Sequence, residues 1–334
     1  MTIREELELR EKKDLSPFAC LSSQSKGRQR PVEPCPVRTC FQQDIDRVVH
    51  CKAFRRLKHK TQVFLQPEGD HYRTRMTHTL EVARVARTIC RGLGLNEDLA
   101  EAAALGHDLG HTPFGHAGER VLAEIMPGGF LHADQSLRVV DKLENDGAGL
   151  NLTYEVRRGI VCHSSGEEAE TLEGRVVRIS DKIAYLSADI DDALRGGVIY
   201  PLDIPAQVGQ VLGTSHSQRL NTLIVDVIQA SRGQNAILQS PEKKEAMALL
   251  RSFMFESVYL NPIAKGEEGK AQELIRRLFD YYMGHLEELP QEYLDIRETE
   301  GKERAVCDYI AGMTDAYAVE RYQDLFIPKS WAVK

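Results

Sequence analysis

From Phe41 onward the apolar residues of this chain recur at helical spacing, stretch after stretch, and that periodicity limits the fold more than any other feature. His78, Val82, Val85 and Ile89 stand at i, i+4, i+7 and i+11, one inward stripe on a helix expected from about Thr77 to Gly92. The next helix is expected from about Asn96, a good N-cap, to Leu109, with His107 and Asp108 on its last turn and Gly110 and Pro113 stopping it. Phe41–Leu57 carries a similar pattern, and further helices are expected at 116–126, 132–145, 151–163, 173–195, 205–232, 241–258, 268–288 and 301–323. Loops at Met126–Gly129 and Ser164–Gly166 break the run. Only Gln62–Leu65 reads as a short strand, followed by a turn at Gln66–Asp70, so at most one small β-hairpin near 62–73 is expected. The fold class is all-α, a helical bundle with additional C-terminal helices.

The arm up to about Pro36 departs from this pattern. It has the polar run Ser22–Gly27 and three prolines between 31 and 36, and it reads as irregular. No apolar run approaches the ~20 residues of a membrane span, and Met1–Lys13 lacks the apolar centre of a signal peptide. Seven cysteines, an odd number with no Cys-x-x-Cys pair, suit a reduced cytoplasmic protein. A net charge of −7 argues against binding nucleic acid through a whole basic face, so nucleic acid is not indicated as a partner. Between Lys26 and Lys60, however, ten Lys/Arg face three Asp/Glu. That segment is either a local anion site, with phosphate the obvious anion, or a solvated face.

Chemistry concentrates in His107-Asp108-Leu109-Gly110-His111-Thr112-Pro113-Phe114-Gly115-His116-Ala117-Gly118-Glu119, three histidines in addition to His107's partner Asp108 and Glu119. An adjacent His-Asp pair is weak evidence for a metal, and His78 alone would suit a hydrogen-bonded core position. Asp181 changes the balance. It lies in an apolar helical stretch, where an unpaired carboxylate would be costly to bury, and a cation held with His78, His107 and Asp108 would account for it. Two imidazoles and two carboxylates do not choose among Mn, Mg, Fe, Co, Ni and Zn.

The order His…His-Asp…Asp on successive helices resembles the HD-domain phosphohydrolases. The match extends to Phe54–Val63, Arg73–His78, His107–Glu119, Val177–Asp192 and Val306–Asp315, which look like the deoxyguanosine triphosphate triphosphohydrolase family. Recognisable segments run from about Arg4 to Pro328. The resemblance implies one divalent metal on His78, His107, Asp108 and Asp181, in a bundle of the HD type. It divides the chain into an N-terminal arm (1–40), a catalytic core of the HD type (41–200) and a helical C-terminal region packed on that core (201–334).

His116 and Glu119, at i and i+3, project to one side if a helix begins there; they form a helix-start salt bridge or, as the resemblance implies, an acid–base dyad aimed by the Pro113-Phe114-Gly115 turn. His111 lies one turn beyond Asp108, within reach of a phosphate oxygen. His132 is either a surface histidine or, by resemblance, a group that approaches the triphosphate. Arg75 could hold phosphate bidentately or form a surface salt bridge, and Lys182 could neutralise another phosphate oxygen. Asp181, Tyr185 and Asp189 make one polar stripe at i, i+4 and i+8. The resemblance assigns Tyr185 and Asp189 to the sugar 3′-hydroxyl and Gln62 to the deoxyribose.

The resulting expectation is a metal-dependent hydrolase that splits deoxynucleoside triphosphates, dGTP or dNTPs more broadly, into deoxynucleoside and inorganic triphosphate. The alternatives are a phosphohydrolase of nucleoside monophosphates or signalling nucleotides, and a nucleotide-sensing module without turnover. Family members commonly form homo-oligomers, and some respond to a second nucleotide. Gln43 and Ile45 stand where relatives often carry arginines, a departure that touches such regulation and leaves the metal chemistry intact.

Overall fold

The computed structural model describes residues 1–63, 73–164, 166–261 and 266–329. Its framework consists of helices whose ends are written in local chemistry. Helix α1 spans Ile3–Asp14, α2 Cys40–His50, α3 Lys52–Arg56, α4 Arg75–Leu93, α5 Glu97–Gly106, α6 His116–Ile125, α7 His132–Arg138 and α8 Tyr154–Cys162. They are followed by α9 Leu172–Arg195, α10 Ala206–Leu212, α11 His216–Ser231, α12 Pro241–Met254, α13 Glu268–Gly284, α14 Gln291–Glu300, α15 Lys302–Ala311 and α16 Asp315–Phe326. Among the described residues the β-structure amounts to two isolated bridges, Arg28 with Thr153 and Thr61 with Thr74. The fold is all-α. Most of the expected hairpin, including Phe64–Asp70, lies outside the described residues, which the Thr61–Thr74 bridge flanks. No helix among the described residues is long and apolar enough to cross a membrane.

Helix α4 begins where the Thr74 hydroxyl accepts the Thr77 N–H, and ends at Gly94, whose φ of +68° suits glycine. Asn96 caps α5 by accepting the N–H groups of Asp98 and Leu99. Ala100, Ala102, Ala103 and Ala104 make α5 thin and buried, which lets α8 approach closely: a Cβ on Gly159 would lie 2.7 Å from that of Ala103. Helices α4 and α9 pack beside α5, and Val82, Val85, Ile89, Val176, Ile183 and Ile190 are buried in the core they share. Each such aliphatic side chain contributes about 1.5–3 kcal/mol on burial. A second apolar cluster joins Phe114, Val121, Leu122 and Phe130 to Ile275, Leu278, Phe279, Val306 and Ile310. The block from His107 to Glu119 therefore leaves one core at α5 and enters the other at α6.

Several boundaries differ from expectation. The N-terminal arm contains α1, which buries no side chain and rests on a Thr2/Glu5 capping box and an Arg4–Glu8 pair at 2.7 Å, so apolar periodicity could not reveal it. The helix expected at 205–232 is two helices, divided at Gly213, where φ is +102°. The one expected at 301–323 breaks at Gly312–Thr314, where the Thr314 hydroxyl caps α16. Helix α14 was not anticipated.

The basic segment is spent largely on internal partners. Arg28 pairs with buried Asp44, Arg38 with Asp46, Lys26 with Glu170 at 2.5 Å and Lys52 with Asp146 at 3.3 Å. Arg47 donates to the carbonyls of Leu150 and Asn151 at 2.7 and 2.8 Å. Gln43 accepts from Arg28 at 3.3 Å. No disulfide joins the seven cysteines.

Candidate metal centre and histidine–carboxylate chain

Three helices deliver the His/Asp cluster. His78 lies in the first turn of α4, and Asp181 lies midway along α9. His107 and Asp108 fall just past the end of α5 rather than on its last turn, because the helix closes at Gly106. The turn that follows is packed tightly under α7: a Cβ on Gly110 would lie 2.1 Å from the Ser136 nitrogen. The Ser136 hydroxyl accepts the Gly110 N–H at 2.9 Å and donates to the His107 carbonyl at 2.7 Å, fixing the turn.

His78 Nε2 lies 3.0 Å from Asp181 Oδ1, and His107 Nε2 lies 3.6 Å from Asp108 Oδ1 and 3.9 Å from Asp181 Oδ1. One ligand atom each of His78, His107 and Asp108 falls within 4.8 Å of the others. The ring orientation carries the chemistry. His107 Nδ1 sits 2.6 Å from the Ala104 carbonyl, so it bears the proton, and Nε2 presents a lone pair. That Nε2 is buried with no hydrogen-bond partner. A buried imidazole lone pair aimed at two carboxylates, its other nitrogen fixed by a carbonyl, is the arrangement a divalent cation requires. Burial would raise both carboxylates, yet the facing histidines, with Arg75 beside Asp108, outweigh it. Asp108 is held well below the usual range and Asp181 down to about 2.

A chain of imidazoles and one carboxylate runs alongside. The turn before α6 places Phe114 and Gly115 at φ +61° and +57°, and His116 opens the helix with Nδ1 2.9 Å from Glu119 Oε2. Glu119 Oε1 accepts from His132 twice, from Nδ1 at 2.8 Å and from the backbone N–H at 2.9 Å. Burial would raise Glu119, but the hydrogen bonds from His116 and His132 hold it far below the usual carboxylate range. For His132, burial acts to lower the pKa, and the Glu119 hydrogen bond more than offsets it. His132 is therefore not a surface histidine. Its ring stacks on that of His111 with centroids 4.5 Å apart. Burial and Arg75 push His111 well below the ordinary histidine range, and its Nδ1 is buried without a partner.

The other expected contacts are arranged less uniformly. Arg75 is 2% exposed, pairs with Asp108 Oδ2 at 2.7 Å and donates to the Gln62 carbonyl at 3.4 Å. Gln62 Oε1 is buried without a partner. Lys182 is half-buried and lines a groove of about 560 Å³ with Arg175, Arg178 and Lys244. Burial pushes Tyr185 up to about 12. Asp189 is buried and accepts the Tyr259 hydroxyl at 2.5 Å, and its burial raises it to about 7. Sequence reasoning passed over Tyr259 and also His163, which ends α8 as His107 ends α5. His163 is buried, its Nδ1 lies 2.6 Å from the Ile160 carbonyl, and its ring meets that of His107 at 4.8 Å. The recurring signal is a histidine immediately after a helix and before a loop, too common a context to single out unaided.

A helical bundle organised around such a cluster is the plan of an HD-domain hydrolase. Residues 75–186 match the HD domain and residues 237–324 the phosphohydrolase-associated domain. The chain is 56% identical to a deoxyguanosinetriphosphate triphosphohydrolase-like protein of Caldanaerobacter subterraneus subsp. tengcongensis, covering 99% of this chain and 98% of the relative. Like-named proteins of Desulfatibacillum aliphaticivorans and Clostridium perfringens are 53% and 47% identical, each covering 98% of this chain and 99% of the relative. The chain belongs to the deoxyguanosine triphosphate triphosphohydrolase-like family of HD-domain phosphohydrolases.

Proposed function

We propose that this chain hydrolyses deoxynucleoside triphosphates at the α-phosphate, releasing a deoxynucleoside and inorganic triphosphate. The observation that carries the proposal is the unpartnered His107 Nε2, facing Asp108 and Asp181 within one block of the His116–Glu119 pair. His78, His107, Asp108 and Asp181 would hold one divalent ion, for which Mn, Mg, Fe, Co, Ni and Zn are all compatible with the donors. When bound, the ion supplies charge neutralisation at the phosphate and lowers the pKa of a coordinated water. Glu119 orients His116 through Nδ1, which leaves Nε2 to carry a proton to the departing 5′-oxygen. Arg75, Lys182, His111 and His132 would meet phosphate oxygens, while Gln62, Tyr185 and Asp189 would line the deoxyribose. A homo-oligomer is the expected working form.

Product analysis is the test. Metal-loaded protein incubated with each dNTP should release triphosphate and free deoxynucleoside in equal amounts. Release of pyrophosphate or orthophosphate would overturn the proposal, and turnover confined to monophosphates or cyclic nucleotides would favour a different phosphohydrolase.

A further inference from the structure

Lys60 is 3% exposed, and its ammonium donates to the carbonyls of His111 at 2.5 Å and Ala311 at 2.8 Å. These bonds take two of its three N–H groups. Among the described residues no carboxylate oxygen comes within 4.0 Å of it. Lys60 lines an enclosed cavity of about 30 Å³ beside Leu109 and Gly110, the residues that follow His107 and Asp108. Arg56 lines the same cavity, half-buried and equally without a carboxylate within 4.0 Å among the described residues. Its guanidinium and the Tyr293 hydroxyl close over Gly312, where a Cβ would lie 3.3 Å from Arg56 Nη1 and 3.3 Å from Tyr293 Oη.

The acids on the cavity wall do not balance these cations. Asp308 pairs with Arg138 at 2.7 Å and accepts from Gln135 at 2.9 Å. Glu144 accepts the backbone N–H groups of Lys52 and Ala53 at 3.0 and 2.7 Å. Glu292, half-buried, reaches neither cation within 4.0 Å. Enclosing an ammonium and a guanidinium together without a counter-charge is costly. Burial, and then Arg56, pull the Lys60 pKa down to about 7. We propose that this cavity binds a small monovalent anion of the chloride class, held by the Lys60 ammonium, the Arg56 guanidinium and the Tyr293 hydroxyl.

The size of the cavity selects the occupant. It exceeds the ~10–15 Å³ that one water needs, and it is far too small for a nucleotide or a polyphosphate. A water there would accept the third Lys60 N–H but would supply no negative charge. An anion supplies both, and it does so where two parts of the chain meet. Gly110 of the metal turn and Gly312 at the end of α15 both line the cavity, and Lys60 holds a carbonyl from each side. The bound anion therefore clamps the C-terminal helices to the turn behind the His/Asp cluster. This inference does not depend on which nucleotide the protein hydrolyses.

The experiment compares sodium chloride with sodium gluconate, whose anion the cavity cannot admit, at one fixed ionic strength so that screening is equal. Replacing gluconate by chloride should raise the melting temperature of wild type by several degrees, because the anion binds the folded state alone. The rise should vanish in Lys60→Met and in Arg56→Gln. Crystals soaked in sodium bromide should show an anomalous scattering peak between Lys60 Nζ and the Arg56 guanidinium. If Lys60→Met does not fold, Arg56→Gln and the bromide peak decide. Equal melting of wild type in the two salts overturns the inference and marks any bromide found as an adventitious ion only. A rise that persists in Arg56→Gln places the halide elsewhere, for instance on the metal, and overturns it too. So does a cavity that holds only water in the bromide-soaked crystal.

Discussion

The Asp315 carboxylate accepts the backbone N–H of Phe114 at 2.9 Å, tying the first residue of α16 to the turn that aims His116. The same carboxylate takes the Thr61 N–H at 2.9 Å and the Thr61 hydroxyl. Lys60, the residue before, donates to the carbonyls of His111 and Ala311. The C-terminal helices thereby hold the 107–119 block from behind, and the left-handed conformation of Phe114 is sustained by a residue two hundred positions away.

Replacing that carboxylate should expose the dependence. Asp315→Ala leaves two buried N–H groups and a hydroxyl unpaired, and should cost about 3 kcal/mol. Asp315→Asn keeps one acceptor oxygen and should cost less. Urea denaturation measures the loss, and kcat should fall further than KM rises as the turn loosens.

The His/Asp cluster predicts a different pattern. His78→Ala and Asp181→Asn should lower bound metal and reduce turnover on the order of a thousandfold or more, since charge stabilisation at the phosphate is lost with the ion. Elemental analysis after desalting, paired with activity against added Mn²⁺, checks this. Full activity in Asp181→Asn without bound metal would remove the cation from the reaction.

How much of this was legible beforehand follows from what each residue reports locally. Asp181 stood out because a carboxylate within apolar helical neighbours requires a partner, and the structure supplies His78 at 3.0 Å. The spacing of His116 and Glu119 put them on one helix face, as the 2.9 Å contact shows, while their reading as a dyad came from the family resemblance and not from spacing. His163 was not found: what distinguishes it is an Nε2 aimed at His132, a relation between α7 and α8 that no spacing along the chain encodes. Helix α1 was hidden for the opposite reason, since it presents charge to solvent and has no apolar stripe. Gly213 and Gly312 were visible as glycines, yet the apolar periodicity on either side ran across them and merged separate helices. Lys182, one residue from Asp181 and so about 100° around the helix, has its side chain in the groove beside Arg178.

The acid role proposed for His116 can be separated from its packing by changing the leaving group. General-acid catalysis is worth about 10²–10⁴-fold when the departing oxygen needs a proton. His116→Gln should therefore lose about that much on a dNTP. On a 4-nitrophenyl ester of triphosphate, whose leaving group departs as a stable anion, the loss should shrink to less than about tenfold. Equal losses on both substrates would assign His116 to positioning. Glu119→Gln should resemble His116→Gln on dNTPs and lose more stability, because three donors converge on that carboxylate.

Glu173 allows a test of stability away from the site. Its Oε1 accepts the N–H groups of Cys20 and Asn96 at 2.9 and 3.0 Å, joining α9 to the N-terminal arm and to the cap of α5, while Oε2 is buried with no partner. Burial pushes its pKa from 4.5 up to about 7, although the two backbone donors pull it down. The folded state thus holds the proton more tightly than the unfolded chain does. The stabilisation is complete below the unfolded value of 4.5, is lost as pH rises to about 7, and is constant beyond. The loss is about 3 kcal/mol at most. Glutamine keeps the accepting oxygen and cannot ionise, so Glu173→Gln should gain melting temperature relative to wild type as pH goes from 5 to 8. Thermal melts across that range provide the measurement, and parallel curves for the two proteins would mean that Glu173 takes up its proton over the same pH range folded and unfolded, its pKa not raised by the fold.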